Sequence, residues 1–304
     1  MRGAVLALVL CAAASRAQLP QRAQLTVAPA KPEPGSLVRL TVRAPVSISD
    51  SVVAVRGAMS GEPLHFLLAE AGTWHAIGPV SVDAARSVSA HVFVHHMSGV
   101  VDTLRFAVVV PPIVVRKSEP LAVDTQFTKA PDEAMLARIA SDNARARAVG
   151  QRAHQSPPLW TAPFLRPRDS RVTSLFGSGR VFNGEVTSRH LGVDFQGRPG
   201  DPIQAANRGV VALVDTFLLA GNVVYIDHGA GVVTGYFHMS KQLVAVGDTV
   251  ARGQEIGLVG ATGRVTGAHL HWSARYGAHA VNPFDLLTLD KDWYSGALLL
   301  PRAH

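Results

Sequence analysis

A mainly β chain in two halves, joined by a helical and extended linker, is the fold class that this sequence predicts. Three observations carry that expectation. Apolar and polar residues alternate at period two from Ala23 to about Val115, short β-prone runs separated by glycine turns recur between 209 and 259, and a single stretch from Pro131 has convincing helical character. At 304 residues the chain exceeds what one core usually organises, and 47% hydrophobic residues can fill two.

Residues 1–17 read as a cleaved export signal: Arg2 gives the positive start, Ala4 to Ala14 the apolar stretch, and Ser15-Arg16-Ala17 a small-x-small cleavage site. The apolar stretch is shorter than the ~20 residues a bilayer span needs, so a periplasmic or secreted protein with no membrane span is expected. Cys11 is the one cysteine, and Leu8-Val9-Leu10 before it lacks the small residue of a lipoprotein signal, which argues against a lipid anchor. The mature chain then has no cysteine, which excludes thiol catalysis and cysteine-ligated zinc.

Residues 18–117 are expected to form an immunoglobulin-like β-sandwich. Val38, Leu40 and Val42 alternate with Arg39, Thr41 and Arg43, as Leu104, Phe106 and Val108 do with Arg105 and Ala107, and Pro34-Gly35, Gly57 and Gly61-Glu-Pro63 punctuate the runs. No catalytic grouping is evident there; a structural or positioning module is the plain reading, with wall binding or occlusion of a catalytic groove beside it. The linker, 118–170, carries a helix over 131–149, with Pro131 at its start, Asp132 and Glu133 in the first turn, Arg145 and Arg147 near its end and Gly150 to stop it. Met135, Ile139 and Val149 give that helix a narrow apolar stripe, suited to a docking strut, and the prolines from Pro157 to Pro167 follow as an extended connector.

The second β domain is placed at 171–290, with a tail at 291–304. Its expected strands include 209–214, 223–227, 232–237 and 255–259. Gly247-Asp248 and Arg252-Gly253 resemble the turns of a lipoyl or biotinyl carrier, but Lys241 precedes them and no lysine occupies a hairpin tip.

Chemistry concentrates in two motifs, His190-Leu-Gly-Val-Asp194 and His269-Leu-His271. Residues two apart on a strand share a face about 6.6 Å from one another, so His269 and His271 can lean over one site. A straight strand would hold His190 and Asp194 about 13 Å apart, too far for one ion, so the segment must bend, and Gly192 is where it can. His190, Asp194, His269 and His271 together offer the nitrogen and oxygen donors of an open zinc site. The other histidines, His65, His75, His91, His95, His96, His154, His228, His279 and His304, read as core, turn or surface residues.

Together with Gly235-Tyr-Phe-His238-Met-Ser240 and the glycine-dense run from Gly257 to Trp272, these motifs resemble the lysostaphin-type, LytM-like zinc metallopeptidases, which cut the peptide part of bacterial peptidoglycan. The likeness covers about Arg171 to Leu287 and takes in Ser174-Leu-Phe-Gly177, Arg180, Phe182-Asn-Gly184, Ile226-Asp-His-Gly229 and Val281-Asn-Pro283. The resemblance implies an antiparallel β peptidase domain holding one zinc, with His190, Asp194 and His271 as ligands and His238 and His269 flanking the catalytic water. Arg180 and Asn183 line the substrate groove on this reading, with loop bracing as their structural alternative. The departure from the pattern is Leu218-Leu219-Ala220, where many relatives carry a more polar turn.

No P-loop, Gly-x-Ser-x-Gly elbow or HExxH occurs, so zinc chemistry here runs without a helical glutamate base, and the two histidines are left to move the proton. The net charge of +7 favours anionic partners such as wall polymers. Nucleic acid is not expected, since no basic cluster interleaved with aromatics is present. The expected partner is peptidoglycan, with other cell-wall enzymes as further candidates. The function expected is that of a peptidoglycan endopeptidase; the alternative is a wall-binding regulator that activates an amidase and retains a metal site. The N-terminal β domain and strut resemble those of Gram-negative periplasmic relatives, which favours the direct D-alanyl cross-link over glycine bridges.

Overall fold

The computed structural model describes residues 22–47, 49–84, 86–112, 131–182 and 185–289. The expected signal segment, the first part of the linker and the C-terminal tail lie outside the described residues.

The alternation in the N-terminal half produces eight antiparallel strands: β1 (Gln24–Ala28), β2 (Leu37–Arg43), β3 (Val52–Met59), β4 (Glu62–Leu64), β5 (Leu67–Glu70), β6 (Thr73–Pro79), β7 (Ser87–His96) and β8 (Val101–Val109). They form two sheets, β1-β2-β6-β5 and β4-β3-β7-β8, whose inward residues, among them Leu40, Val42, Met59, Val92 and Val108, make one core. With β1, β2, β6 and β5 as strands A, B, E and D and β3, β7 and β8 as C, F and G, this is the immunoglobulin order, with β4 as an added edge.

Helix α1 (Glu133–Arg152) begins at an Asp132 cap whose carboxylate accepts from the Met135 N–H at 2.8 Å. It does not stop at Gly150 as its sequence suggests; it runs to Arg152 and into a short 3-10 turn, Ala153–Gln155. Gly150 has another task, because a Cβ there would collide with the Gly277 carbonyl, so the helix lies hard against the second domain. The buried stripe also differs from expectation: it runs through Asp142, Ala146, Val149 and Gly150, with a carboxylate in its middle.

The second domain holds β9 (Val172–Ser174), β10 (Gly179–Phe182), β11 (Glu185–Arg189), β12 (Val193–Gln196), β13 (Pro202–Gln204), β14 (Gly209–Phe217), β15 (Gly221–Gly229), β16 (Val232–Gln242), β17 (Thr249–Val250), β18 (Glu255–Val259), β19 (His269–Tyr276), β20 (His279–Val281) and α2 (Pro283–Leu287). β10 and β11 pair as a separate ribbon. The rest form a ten-stranded antiparallel sheet along β17-β14-β15-β16-β19-β12-β9, with β13, β18 and β20 attached. Every strand expected from the pattern is present, and all but β18 extend beyond the expected bounds.

The two halves share a core. Leu37 and Ile77 of the sandwich belong to the same buried cluster as Phe195, Trp272 and Tyr276. The Leu37 N–H donates to Asp285 Oδ2 at 2.7 Å, the Asn282 N–H to the Gly35 carbonyl at 2.7 Å, and Arg189 Nη1 to the Val82 carbonyl at 2.8 Å. Buried Glu62, beside the β3–β4 turn, accepts from the Ala278 N–H at 2.8 Å and meets His154 Nε2 at 2.9 Å, while His154 Nδ1 lies 2.8 Å from His65 Nε2.

Candidate active site

The site is built across β12 and β19, whose register sets Asp194 opposite His271 and Gln196 opposite His269. On the other side of β19, β16 pairs Phe237 with His271, which brings His238 alongside. His190 reaches the cluster because the chain bends at Gly192 before β12 starts. Gly192 does more than bend: a Cβ there would collide with the His271 ring, lying 2.6 Å from its Cε1 and 2.6 Å from the Trp272 carbonyl. The His271 ring is stacked on Phe237, with centroids 5.0 Å apart and planes 11° from parallel. The imidazole is therefore in contact with both a glycine backbone and a phenyl ring.

Three donor atoms converge. His190 Nε2, Asp194 Oδ1 and His271 Nδ1 lie 2.9 Å from one another in all three directions. His190 uses its other nitrogen as a donor, since Nδ1 faces the Leu175 carbonyl at 3.0 Å and a carbonyl can only accept. Its Nε2 is left pointing at Asp194 Oδ1. Burial opposes the charge on Asp194, but hydrogen bonds and attraction from His190 and His271 outweigh it and hold the carboxyl well below the usual carboxylate range. Three ligand-type atoms this close suit a single cation, and two imidazoles with one carboxylate are a donor set that zinc takes, with the carbonyl behind His190 as an outer partner.

His238 and His269 stand beside the cluster, their ring centroids 4.9 Å apart and that of His238 6.0 Å from His271. Both have the same tautomer imposed from behind. His238 Nδ1–H donates to the Thr262 carbonyl at 2.8 Å, and His269 Nδ1–H to the Gly267 carbonyl at 2.8 Å, so each presents an Nε2 lone pair. His269 Nε2 lies 3.7 Å from Asp194 Oδ1. Burial, helped by the neighbouring His269 and His271, pushes His238 down to about 3, and burial pushes His271 down to about 4. Both rings are neutral bases at physiological pH. The backbone at His238 is left-handed, φ 62°, a conformation unfavourable for a residue with a side chain, and its N–H is tied to the Ala220 carbonyl at 2.9 Å.

The structure thus brings together His190, Asp194, His238, His269 and His271. Arg180 belongs to strand β10, and nothing is described of its side chain; Asn183 lies outside the described residues. Sequence reasoning overlooked the carbonyls of Leu175, Thr262 and Gly267, which no residue type betrays, and the stacking of Phe237. His228 and His279 keep structural roles. The first is fully buried between the Arg208 carbonyl and the Thr234 hydroxyl, and the second donates to the Ser60 carbonyl at 2.8 Å.

Residues 188–283 match the model of peptidase family M23. The chain is 44% identical over 121 residues to the peptidoglycan DD-endopeptidase ShyA of Vibrio cholerae, a stretch covering 38% of this chain and 28% of that protein. It is 43% identical over 114 residues to the DD-carboxypeptidase/endopeptidase Mpg of Neisseria meningitidis, covering 38% and 26%. The chain thus spans about a quarter to a third of the length of the curated relatives it matches. A crystal structure from Pseudomonas aeruginosa assigned to peptidase M23 superposes over 84% of this chain and 95% of that one, with a TM-score of 0.62 and 27% identity, so the likeness reaches beyond the catalytic part. The matched stretch, residues 188–283, carries the His190, Asp194 and His271 cluster, so it is this domain of the chain that matches peptidase family M23.

Proposed function

We propose that this protein is an exported zinc metalloendopeptidase that hydrolyses peptide bonds of bacterial peptidoglycan, at the cross-links or stem peptides. The observation that carries the reading is the convergence of three ligand-type atoms at 2.9 Å beside two histidines whose Nδ1 atoms are each held by a backbone carbonyl. His190, Asp194 and His271 would hold the metal. A zinc ion there supplies the Lewis acidity that activates water and polarises the scissile carbonyl.

The rest is the work of the chain. His238, which burial keeps neutral, and His269, whose Nε2 lies 3.7 Å from Asp194 Oδ1, are the two candidates for the base that serves the attacking water. The ring that takes the proton becomes a donor, either to the developing oxyanion or to the leaving amine. Asp194 sets the charge of the cluster at minus one, so a divalent cation leaves the site net positive and attractive to a carbonyl oxygen. Arg180, on β10, and Asn183 are assigned to the substrate groove, where a guanidinium can meet a stem-peptide carboxylate. The direct D-alanyl cross-link is the preferred bond, supported by DD-endopeptidase relatives such as ShyA. Among the described residues no helix is long and apolar enough to cross a membrane. Export follows from the signal pattern at residues 1–17.

Digestion of diaminopimelate-type sacculi with and without a chelator tests the reading, with product masses identifying the bond. Soluble cross-link fragments that vanish on chelation and return with zinc are expected. Binding to sacculi without metal-dependent release would overturn the enzyme in favour of a wall-binding regulator.

A further inference from the structure

Helix α1 lies wholly outside the stretch that matches the family model, yet it reaches toward the catalytic histidine through one turn. Asp142, in the middle of its buried face, is 5% exposed and carries two acceptors, both used. Oδ1 takes Arg138 Nε–H at 3.0 Å, and Oδ2 takes the N–H of Leu218 at 2.8 Å, at the tip of the β14–β15 hairpin. Arg138 also donates to the Thr216 carbonyl at 2.8 Å, Arg145 pairs with Asp215 and lies over the Phe217 ring at 5.5 Å, and Phe217 is buried against Ala146 and Val149. Four consecutive residues, 215–218, are thereby held by one helix.

That turn is also the seat of His238. Its next residues, Leu219 and Ala220, accept from the N–H groups of Arg264 at 2.8 Å and His238 at 2.9 Å. Gly221 sits against Thr262, where any Cβ would collide, and the Asn222 N–H donates to Thr262 Oγ1 at 2.9 Å. Thr262 in turn gives the carbonyl that accepts His238 Nδ1–H. Both ties on His238, one at its backbone and one at its ring, therefore run through the turn that α1 holds. A left-handed residue does not keep its conformation unaided, and neighbouring structure has to impose it.

We propose that Asp142 is a positioning residue for His238, and that α1 is a working part of the peptidase site rather than a spacer between domains. The proposal rests on the assignment of His238 as a proton-transfer group. It also accounts for the apolar Leu218-Leu219-Ala220: the turn needs no polar side chain of its own, because the acceptor for its N–H comes from the helix.

The test uses the full chain with Asp142→Ala, Asp142→Asn and Arg138→Gln, the last at a residue exposed enough that the fold does not depend on it. For each variant, zinc stoichiometry, kcat and KM on a cross-linked muropeptide, and the proton resonance of His238 Nδ1–H are measured. Asp142→Ala should keep its zinc and KM, lower kcat on the order of tenfold, and broaden or shift the His238 Nδ1–H signal. Asp142→Asn, which retains an oxygen for Leu218, should recover most of both, and Arg138→Gln should move both in the same direction by less. An unaltered His238 signal in Asp142→Ala, or loss of zinc in step with kcat, would overturn the proposal. The resonance is read without substrate, so it distinguishes failure of this inference from failure of the peptidase assignment, which would show as an inactive wild type with the His238 signal still dependent on Asp142.

Discussion

The α-carbon of Gly192 lies against the ring of His271, close enough that a Cβ would overlap the imidazole and approach the Trp272 carbonyl to 2.6 Å. Gly192→Ala should therefore push the ring off the cluster without removing any donor. We expect zinc content by elemental analysis to fall to less than half of the wild-type value in a folded protein, with circular dichroism unchanged. A variant retaining one zinc per chain would show that the ring has room to give.

Ligands and proton-transfer groups should separate in a substitution series. His190→Ala, Asp194→Ala and His271→Ala each remove one of three convergent donors and should lose zinc and activity together. His238→Ala and His269→Ala should retain zinc and lose turnover by a factor on the order of 10²–10⁴. Zinc loss in either of the last two equal to that of the first three would move that histidine into the metal shell.

Asp285 makes stability depend on pH in an unusual direction for a carboxylate. Burial raises it from 3.8 to about 6, against the opposing hydrogen bond from the Leu37 N–H and with Glu33 adding repulsion. The folded state then holds a proton that the unfolded chain has released, so stability is fullest below about pH 4 and declines as pH rises toward 6, by on the order of 2–3 kcal/mol for this group alone. Asp285→Asn keeps an acceptor for Leu37 and should flatten that decline. Urea unfolding between pH 4 and 7.5 measures it, and parallel curves for the two proteins would discount the effect.

Glu62 joins three segments, accepting from Ala278 and meeting His154 in a nearly closed environment. Glu62→Ala removes the carboxylate partner of the part-buried Ala278 N–H and of His154, at a cost of about 1–3 kcal/mol each at most. We expect a melting temperature lowered by several degrees and faster proteolysis between the sandwich and the catalytic sheet. An unchanged melting curve would mean that water replaces the carboxylate.

What could be read in the sequence was what local patterning records. The strands of the N-terminal domain followed from alternation, four of those in the second domain from β-prone runs between glycine turns, and the bend at Gly192 from a spacing too long for a straight strand. The contact between Gly192 and His271 could not be read, because it depends on the pairing of β12 with β19 across 77 residues of chain between Asp194 and His271. Gly150 misled in an instructive way. A glycine near a helix end usually marks the stop, but here it marks the approach of Gly277, and packing overrode the local signal. Asp142 did leave a trace: it follows Ile139 by three residues and precedes Ala146 by four, so it stands on the apolar face where a carboxylate needs a partner.

The left-handed backbone at His238 sets chemistry against conformation at a single position. An imidazole there costs about 1–2 kcal/mol that glycine would avoid and asparagine would lessen. On the proposed role, turnover is what offsets that cost. In a descendant that gave up hydrolysis and kept the fold, position 238 should drift to glycine or asparagine sooner than buried, unstrained His190 drifts at all. The identity of residue 238 would then serve as a dated marker of when a lineage stopped cutting.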